Sequence, residues 1–340
     1  MEASVFKRSF PTFWMFLLVI AGGVVSCKKN NTGGSGGSAQ TLERYFAGTE
    51  RYTLFDRALK KTHLDTLLGG STPYTVFAPV DSAMTNAGYS AAGIDTADAG
   101  TLASILRYHL VPGTIDSADL QLYLEINVST ADSSYPAFLE YNNYGLFYDG
   151  IRVLNTDGKV VNGIVHGIGT MATPPVGDLV ATIAAIPALK DFNYYLQINN
   201  GLYSRPSSFN FPNSLVAFAT PASPITVFAP DNAYFASLGS DNFYMIRQLA
   251  LSQTYNPTVL PVAEYYPLGE YFTCDLMGQN RLVAATNSGN GTDDLWFSTD
   301  GLSFMEFPQS NYGYSPIPAA HIVRSNIVAT NGVIHIIELN

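Results

Sequence analysis

Charged residues are scarce in this 340-residue chain, at 13% of the sequence, and only two cysteines occur. Soluble domains usually carry about 25% charged residues, so neutral polar side chains and tyrosine must cover much of the surface. The formal net charge is -10, and no block of Lys or Arg is present. Because nucleic acid phosphates are bound by clustered cations, this composition argues against a nucleic-acid partner.

Recognisable catalytic and metal-binding patterns are also lacking. The histidines stand apart, with no H-x-H or H-E-x-x-H spacing, at His63, His109, His166, His321 and His335. Metal ligands need such close spacing or must converge in space. Asp293 and Asp294 lack the spacing of a calcium loop, and acidic residues are too sparse to assign the carboxylate pair of a glycosidase. We therefore expect no catalytic residue, no metal and no cofactor.

The N-terminal residues have the pattern of a targeting signal. Lys7 and Arg8 precede an uncharged apolar stretch over residues 10–25, and Val24 to Cys27 resembles a bacterial lipobox. This pattern predicts a lipoprotein signal peptide over residues 1–26, cleavage before Cys27 and lipidation of Cys27. A plain secretory signal or an uncleaved anchor helix is the alternative. No aspartate follows Cys27, which favours the outer membrane, on its periplasmic or its surface face.

Residues 27–40 are rich in glycine and predict a flexible tether. If Cys27 carries lipid, Cys274 is the one thiol left, and an internal disulfide is excluded. Cys274 lies in the alternating stretch Tyr271–Leu276, which predicts a strand. Such a strand would bury the thiol as a small hydrophobic group, and no neighbouring histidine suggests a nucleophile.

One five-residue stretch occurs twice, as Thr75–Pro79 and Thr226–Pro230. Its β-branched and aromatic residues suit a buried strand that ends at the proline. Downstream of each copy comes a second shared stretch, Asn162–Ile168 and then Asn331–Ile337. Two signatures that recur in the same order indicate a tandem repeat of one domain.

Further elements follow from the periodicity of apolar residues. It predicts helices over Thr53–Leu68 and Thr101–His109, and strands with turns from residue 115 to residue 168. Asp81 and Asp231 follow the two proline-ended strands, so each is predicted to cap the next helix.

The second repeat follows the same order with altered lengths. A helix after Asp178 should kink or restart at Pro187. The stretch Leu196–Pro224 is longer than its counterpart and is interpreted as an insertion. A further helix is predicted over Phe243–Leu251.

These signatures resemble those of the fasciclin (FAS1) domain family. The stretch Arg107–Gly113, with its Tyr-His pair, is similar to the segment that the family places between the two signatures. The resemblance implies an α+β fold in which each domain is a wedge-shaped β-sandwich with several packed α-helices. The first domain would span residues 41–173 and the second, divergent domain residues 176–340. The second repeat has Ser252 and Gln253 in place of the Tyr-His pair.

The family implies a role in adhesion to cells, matrix proteins or polysaccharide, without a catalytic centre. A role tied to the pair is carried over only to Tyr108 and His109. His109 has the alternative of a core histidine with satisfied ring nitrogens, and the matching positions of His166 and His335 favour a structural role. Aromatic residues among neutral polar ones suit sugar faces or protein partners. The candidate partner-binding residues are Tyr108, His109, Tyr144, Trp296 and Tyr312.

The first functional hypothesis is a non-catalytic, lipid-anchored adhesion or binding protein of the cell envelope that recognises a protein or polysaccharide. The alternative is a glycan-binding accessory lipoprotein of a surface nutrient-uptake system, with the insertion and the region of Trp296 as its platform. An enzyme of unrecognised type is the third.

Overall fold

The computed structural model describes residues 40–122, 124–202, 224–239, 270–278, 282–285, 292–308 and 320–339. Within these ranges, no helix combines the length and the apolar character needed to cross a lipid bilayer. The predicted signal peptide, Cys27, the helix predicted over Phe243–Leu251 and Tyr312 lie outside the described residues. Most of the insertion does too.

In the first repeat, helices precede most of the strands. The helices are α1 (Leu42–Ala47), α2 (Thr53–Lys61), α3 (Leu64–Leu68), α4 (Asp81–Asn86), α5 (Ala91–Thr96) and α6 (Ala99–Tyr108). The strands are β1 (Tyr74–Pro79), β2 (Leu110–Pro112), β3 (Leu124–Ser129), β4 (Pro136–Asn142), β5 (Gly145–Tyr148), β6 (Ile151–Val160) and β7 (Gly163–Ile168).

The second repeat has the same order in its described part. Its helices are α7 (Leu179–Ala185), α8 (Lys190–Leu202), α9 (Asn232–Ser237) and α10 (Thr273–Leu276). Its strands are β8 (Ile225–Pro230), β9 (Leu282–Ala285), β10 (Thr292–Phe297), β11 (Ser303–Pro308), β12 (Ala320–Ala329) and β13 (Gly332–Leu339). A 3-10 turn at Pro187–Leu189 separates α7 from α8, which confirms the predicted restart at Pro187.

In each sheet, one parallel pair joins two strands that come from opposite ends of the repeat. The strand order is β2-β1-β7-β6-β5-β4-β3 in the first repeat and β8-β13-β12-β11-β10-β9 in the second. The two signature stretches are therefore neighbours in space: β1 runs parallel to β7, and β8 runs parallel to β13. The helices and strands of both repeats confirm the predicted α+β class.

The first sheet folds over on itself to make a sandwich. Register shifts in β6 between Val153 and Gly158 mark bulges, which bend a strand. As a result, the ring of Phe77 on β1 stacks on the ring of Tyr148 on β5, with centroids 4.1 Å apart. These two strands are not neighbours in the sheet, so the contact crosses the sandwich core.

A signature strand packs on both of its faces. On β1, Val76 and Ala78 face the helices, in a core with Phe55 and Leu106, while Phe77 faces the sandwich core. The same division recurs in the second repeat, where Val227 and Ala229 of β8 pack with the helices and Phe228 packs in the sandwich. A strand that is buried on both faces explains the continuous apolar run in the sequence.

The asparagine that begins the second signature ties the helices to the sheet. The Asn162 side chain accepts a hydrogen bond from Leu42 N at 2.8 Å and donates to the carbonyl oxygens of Leu68 and Gly70, both at 2.7 Å. In the second repeat, the Asn331 side chain accepts from Leu179 N at 2.8 Å. Both asparagines therefore cap the first helix of their repeat.

The capping prediction is wrong for Asp81 and confirmed for Asp231. The Asp81 carboxylate accepts from Leu54 N at 2.8 Å, so it caps α2 and not the helix that it begins. Asp231 accepts from Tyr234 N at 3.0 Å and caps α9 as predicted. Packing of α2 against α4 brings another unpaired helix terminus within reach of Asp81, which local sequence does not reveal.

The long helix predicted over Thr53–Leu68 is two helices. The chain turns at His63, whose φ of 58° is left-handed, between α2 and α3. A residue in this conformation ends a helix. The helix predicted over Thr101–His109 is α6, which begins at Ala99 because Asp98 accepts from Thr101 N at 2.8 Å.

A glycine at the start of β7 and of β13 is required by the parallel pairing, and this gives a prediction. A Cβ on Gly163 would lie 2.1 Å from the carbonyl oxygen of Tyr74, and a Cβ on Gly332 would lie 2.2 Å from that of Ile225. Neither backbone atom can yield without breaking the strand pair. We expect Gly163→Ala and Gly332→Ala each to lower the free energy of unfolding by about 1–3 kcal/mol.

Urea-induced unfolding followed by circular dichroism measures this change. Gly100→Ala, within α6, is the matched control and should be neutral or stabilising by up to about 1 kcal/mol, because alanine favours a helix. Wild-type stability in both signature variants would contradict the close approach of the strands.

Candidate functional site

The predicted Tyr-His pair belongs to the core. Both side chains are fully buried. His109 donates from Nδ1 to the Ile105 carbonyl oxygen at 2.9 Å and accepts at Nε2 from Ala172 N at 3.1 Å. Burial lowers the pKa of His109 to about 4, so the ring is neutral at pH 7. The expectation that Tyr108 and His109 touch a partner is corrected to a packing role, because neither side chain reaches the surface.

The two histidines of the second signature have matching positions. The ring of His166 lies 5.2 Å from that of Phe77, and the ring of His335 lies 5.3 Å from that of Phe228. His166 donates from Nε2 to a backbone carbonyl at 2.9 Å, and His335 does so at 2.7 Å. Burial lowers the pKa of His335 to about 4. This geometry agrees with the structural interpretation of both residues.

The two repeats meet at an apolar cluster, which we call the interdomain contact. It consists of Phe138 and Phe147 from the first repeat and of Phe272, Cys274 and Val333 from the second. The rings of Phe138 and Phe272 lie 5.4 Å apart. Beside them, the Asn326 side chain donates to the Gly150 carbonyl oxygen at 3.0 Å. The repeats are therefore joined by side-chain packing as well as by the chain.

Cys274 is buried as expected, but in a helix instead of the predicted strand. It lies in the four-residue α10, and its thiol donates to Glu140 Oε2 at 2.9 Å. Burial raises the pKa of the thiol far above its usual range, so the sulfur keeps its proton. A protonated thiol is a poor nucleophile and a poor metal ligand.

Two carboxyl groups lie next to this thiol. Polar atoms of Glu140, Cys274 and Asp275 all lie within 4.8 Å of one another. Glu140 is only 6% exposed, and burial, reinforced by the negative charge of Asp275, raises its pKa to about 7. Asp275 Oδ2 already accepts from Phe272 N at 2.8 Å. These groups form a hydrogen-bonded network across the two repeats, in which the thiol donates to Glu140 and Asp275 accepts from Phe272 N.

A second buried carboxyl group follows β5. Asp149 Oδ1 accepts from Phe138 N at 2.7 Å, whereas Oδ2 is buried without a hydrogen-bond partner among the described residues. Burial raises the pKa of Asp149 to about 7, and the negative charge of Glu270 adds to the shift. Sequence reasoning missed Glu140 and Asp149. The signal available for Glu140 was the period of two that places it on the same face of β4 as Phe138.

The outer face of the second sheet exposes apolar side chains. Trp296 on β10 is 42% exposed and lies directly opposite Met305 on β11, which is 47% exposed. Val323 on β12 is also exposed, while the alternate residues Leu295, Phe304 and Ile322 point into the sandwich core. We call Trp296, Met305 and Val323 the outer-face patch.

Neutral polar groups lie beside the outer-face patch. The Ser303 hydroxyl and His321 Nδ1 are hydrogen-bonded at 2.8 Å on the same exposed side. Tyr144, another candidate binding residue, is 39% exposed but is not part of the outer-face patch. A Cβ on Gly278 would lie 2.1 Å from the Tyr144 hydroxyl, so Tyr144 borders the interdomain contact. Tyr144 thus lies at the interdomain contact, whereas Trp296 lies on the outer face of the second sheet.

Comparisons with known proteins agree with the repeat. Residues 50–174 and 212–339 match the model of the fasciclin domain. Protein sll1483 of a Synechocystis species is 28% identical over 141 residues, which cover 41% of this chain and 76% of that protein. The uncharacterized protein sll1735 of the same organism is 31% identical over 121 residues, which cover 35% of this chain and 86% of that protein.

Among solved structures, a FAS1 domain pair from the insect cell adhesion molecule Fasciclin I aligns with 87% of this chain and 94% of its own, at 14% identity and a TM-score of 0.35. The two family matches cover more than half of the chain, and each contains both signatures in the same order. The chain therefore belongs to the fasciclin domain family and contains its domain twice.

Proposed function

We propose that this protein is a non-catalytic, lipid-anchored adhesion protein of the cell envelope that binds a neutral polysaccharide through the outer-face patch. Fasciclin domains are generally adhesion domains without catalytic activity. The observation that carries the proposal is the exposed Trp296–Met305 pair, which two adjacent strands hold in place.

The geometry of the patch suits a sugar ring. The indole of Trp296 offers a rigid apolar face, and Met305 extends that surface with an adaptable thioether. Holding such side chains on strands lowers the entropy lost on binding. The neighbouring Ser303 and His321 supply groups that can form hydrogen bonds with sugar hydroxyls.

Charge favours a neutral partner. The formal net charge of the chain is -10, which disfavours an acidic polysaccharide through long-range repulsion. A protein partner remains an outcome of the binding experiment, because aromatic residues also serve protein interfaces.

Lipid attachment at Cys27 would place the two domains at a membrane surface. The proposal rests on the lipobox-like sequence before Cys27 and on the apolar stretch that precedes it. The glycine-rich residues 27–40 would let the domains move away from the lipid. An outer-membrane location follows from the absence of aspartate after Cys27.

The outer-face patch gives the first functional prediction. We expect Trp296→Ala to weaken binding of the purified neutral envelope polysaccharide about 10- to 100-fold. Truncating an aromatic side chain that becomes buried on binding removes about 1–3 kcal/mol of contact energy. Met305→Ala should act in the same direction with a smaller effect. Isothermal titration calorimetry on the full chain measures both affinities.

Val161→Ala is the matched control, since Val161 is an exposed apolar residue of the first repeat. It should bind like the wild type. Equal affinity of Trp296→Ala and wild type would contradict the assignment of the surface. Turnover of the polysaccharide by the wild-type protein would contradict the non-catalytic function.

Lipidation gives a separate prediction. We expect metabolic labelling with an alkyne fatty acid to mark the wild-type protein and Cys274→Ser, but not Cys27→Ser. The two variants remove one cysteine each, so Cys274→Ser controls for loss of a thiol as such. A labelled Cys27→Ser protein, or an unlabelled wild type, would refute the lipid anchor.

A further inference from the structure

The interdomain contact brings acidic groups of the two repeats together. Glu140 lies on β4 of the first repeat and Asp275 lies in α10 of the second, and their polar atoms are within 4.8 Å. Phe138, two residues before Glu140 on the same strand face, packs against Phe272. The apolar contact and the acidic pair are therefore parts of one interface, and the contact cannot form without the approach of the two carboxyl groups.

Among the described residues, the groups that set the pKa of Glu140 carry no positive charge. They are the thiol of Cys274 and the amide of Asn142, which donate hydrogen bonds to it, and the carboxyl groups of Asp275 and Glu125. Removing a carboxylate from water costs free energy, and a second carboxylate nearby adds repulsion. A proton on Glu140 removes both costs.

We propose that the interdomain contact is a proton-linked latch, which is closed when Glu140 is protonated and weakens when Glu140 ionises. The two domains then hold a fixed relative arrangement in acidic surroundings and gain freedom to separate in alkaline surroundings. In this way the fold can change the reach of a two-domain adhesion protein without altering either domain core.

The direction follows from the two states of Glu140. With the domains apart, Glu140 would lose burial against the second repeat and the charge of Asp275, so its pKa would move from about 7 towards the ordinary value of 4.5. The stabilisation of the closed contact is therefore fully present below about pH 4.5 and is lost as the pH rises through about 7. The difference corresponds to a change on the order of 100-fold in the ratio of closed to open protein.

Asp149 is not assigned to the latch. Its carboxyl group faces Tyr108 of its own repeat as well as Glu270 of the other. Because its own repeat supplies much of its surroundings, separation of the domains does not restore Asp149 to water as it does Glu140.

Cys274 provides a built-in reporter of the latch. Its side chain is buried in the interdomain contact, and the sequence contains only one other cysteine, Cys27. The full chain with Cys27→Ser, kept in detergent, is treated with a dithiodipyridine reagent at values between about pH 5 and pH 8.5. Each rate is divided by the rate of the same protein in urea at that pH, which removes the intrinsic pH dependence of the thiol.

We expect the normalised rate to be low at about pH 5 and to rise about 10- to 100-fold across neutrality. Glu140→Gln, added to the same background, keeps the shape and one of the two acceptor oxygens but cannot ionise, so its rate should stay low throughout. Glu338→Gln, which alters an exposed glutamate on β13, is the matched control and should follow the parent protein.

If circular dichroism shows that Glu140→Gln does not fold, a second variant still tests the proposal. Asp275→Asn retains an oxygen that can accept from Phe272 N but removes the facing charge, so the midpoint of the rise should move to lower pH. The proposal is overturned if the parent rate is independent of pH, if Glu140→Gln rises like the parent, or if Asp275→Asn leaves the midpoint unchanged. Protection of Cys274 that requires an added divalent metal and disappears with EDTA would also overturn it.

Discussion

The parallel pairing of β1 with β7, and of β8 with β13, is the interaction on which the rest of the structure depends. It joins the two signature strands of each repeat, which lie far apart in the chain, and so brings the early and late parts of each domain together. The pairing places His166 beside Phe77 and His335 beside Phe228, and it lets Asn162 cap a helix 120 residues away in sequence. Both repeats have this pairing, and most of the features that they share depend on it.

The features that suggest function lie outside this shared core. The outer-face patch belongs to the second sheet, and the acidic pair exists only where the two repeats meet. Tyr108 and His109, which carry part of the family resemblance, are buried in the first core. The repeated residues therefore support the fold, and the proposed binding surface and latch occupy positions where the repeats differ or touch.

Recurring signatures predicted the repeat, the family resemblance implied the α+β class, and proline chemistry predicted the restart at Pro187. Local patterns failed where tertiary packing chose between local options. Asp81 caps α2 because packing brings Leu54 N to it. The alternation around Cys274 also fits a single helical turn, and α10 buries the thiol as well as a strand would. The period of two places Glu140 on the face of β4 that carries Phe138, but its partner Cys274 comes from the other repeat, more than 130 residues away, which local sequence does not reveal.

Hydrogen–deuterium exchange of the full chain, with and without the neutral envelope polysaccharide, tests most directly whether the shared core is scaffold and the outer-face patch is the binding surface. We expect slower exchange on binding in peptides that cover residues 292–308 and 320–323, with no change in peptides that cover β1 and β7. Slower exchange around Tyr108 and His109 without any change at Trp296 and Met305 would contradict it.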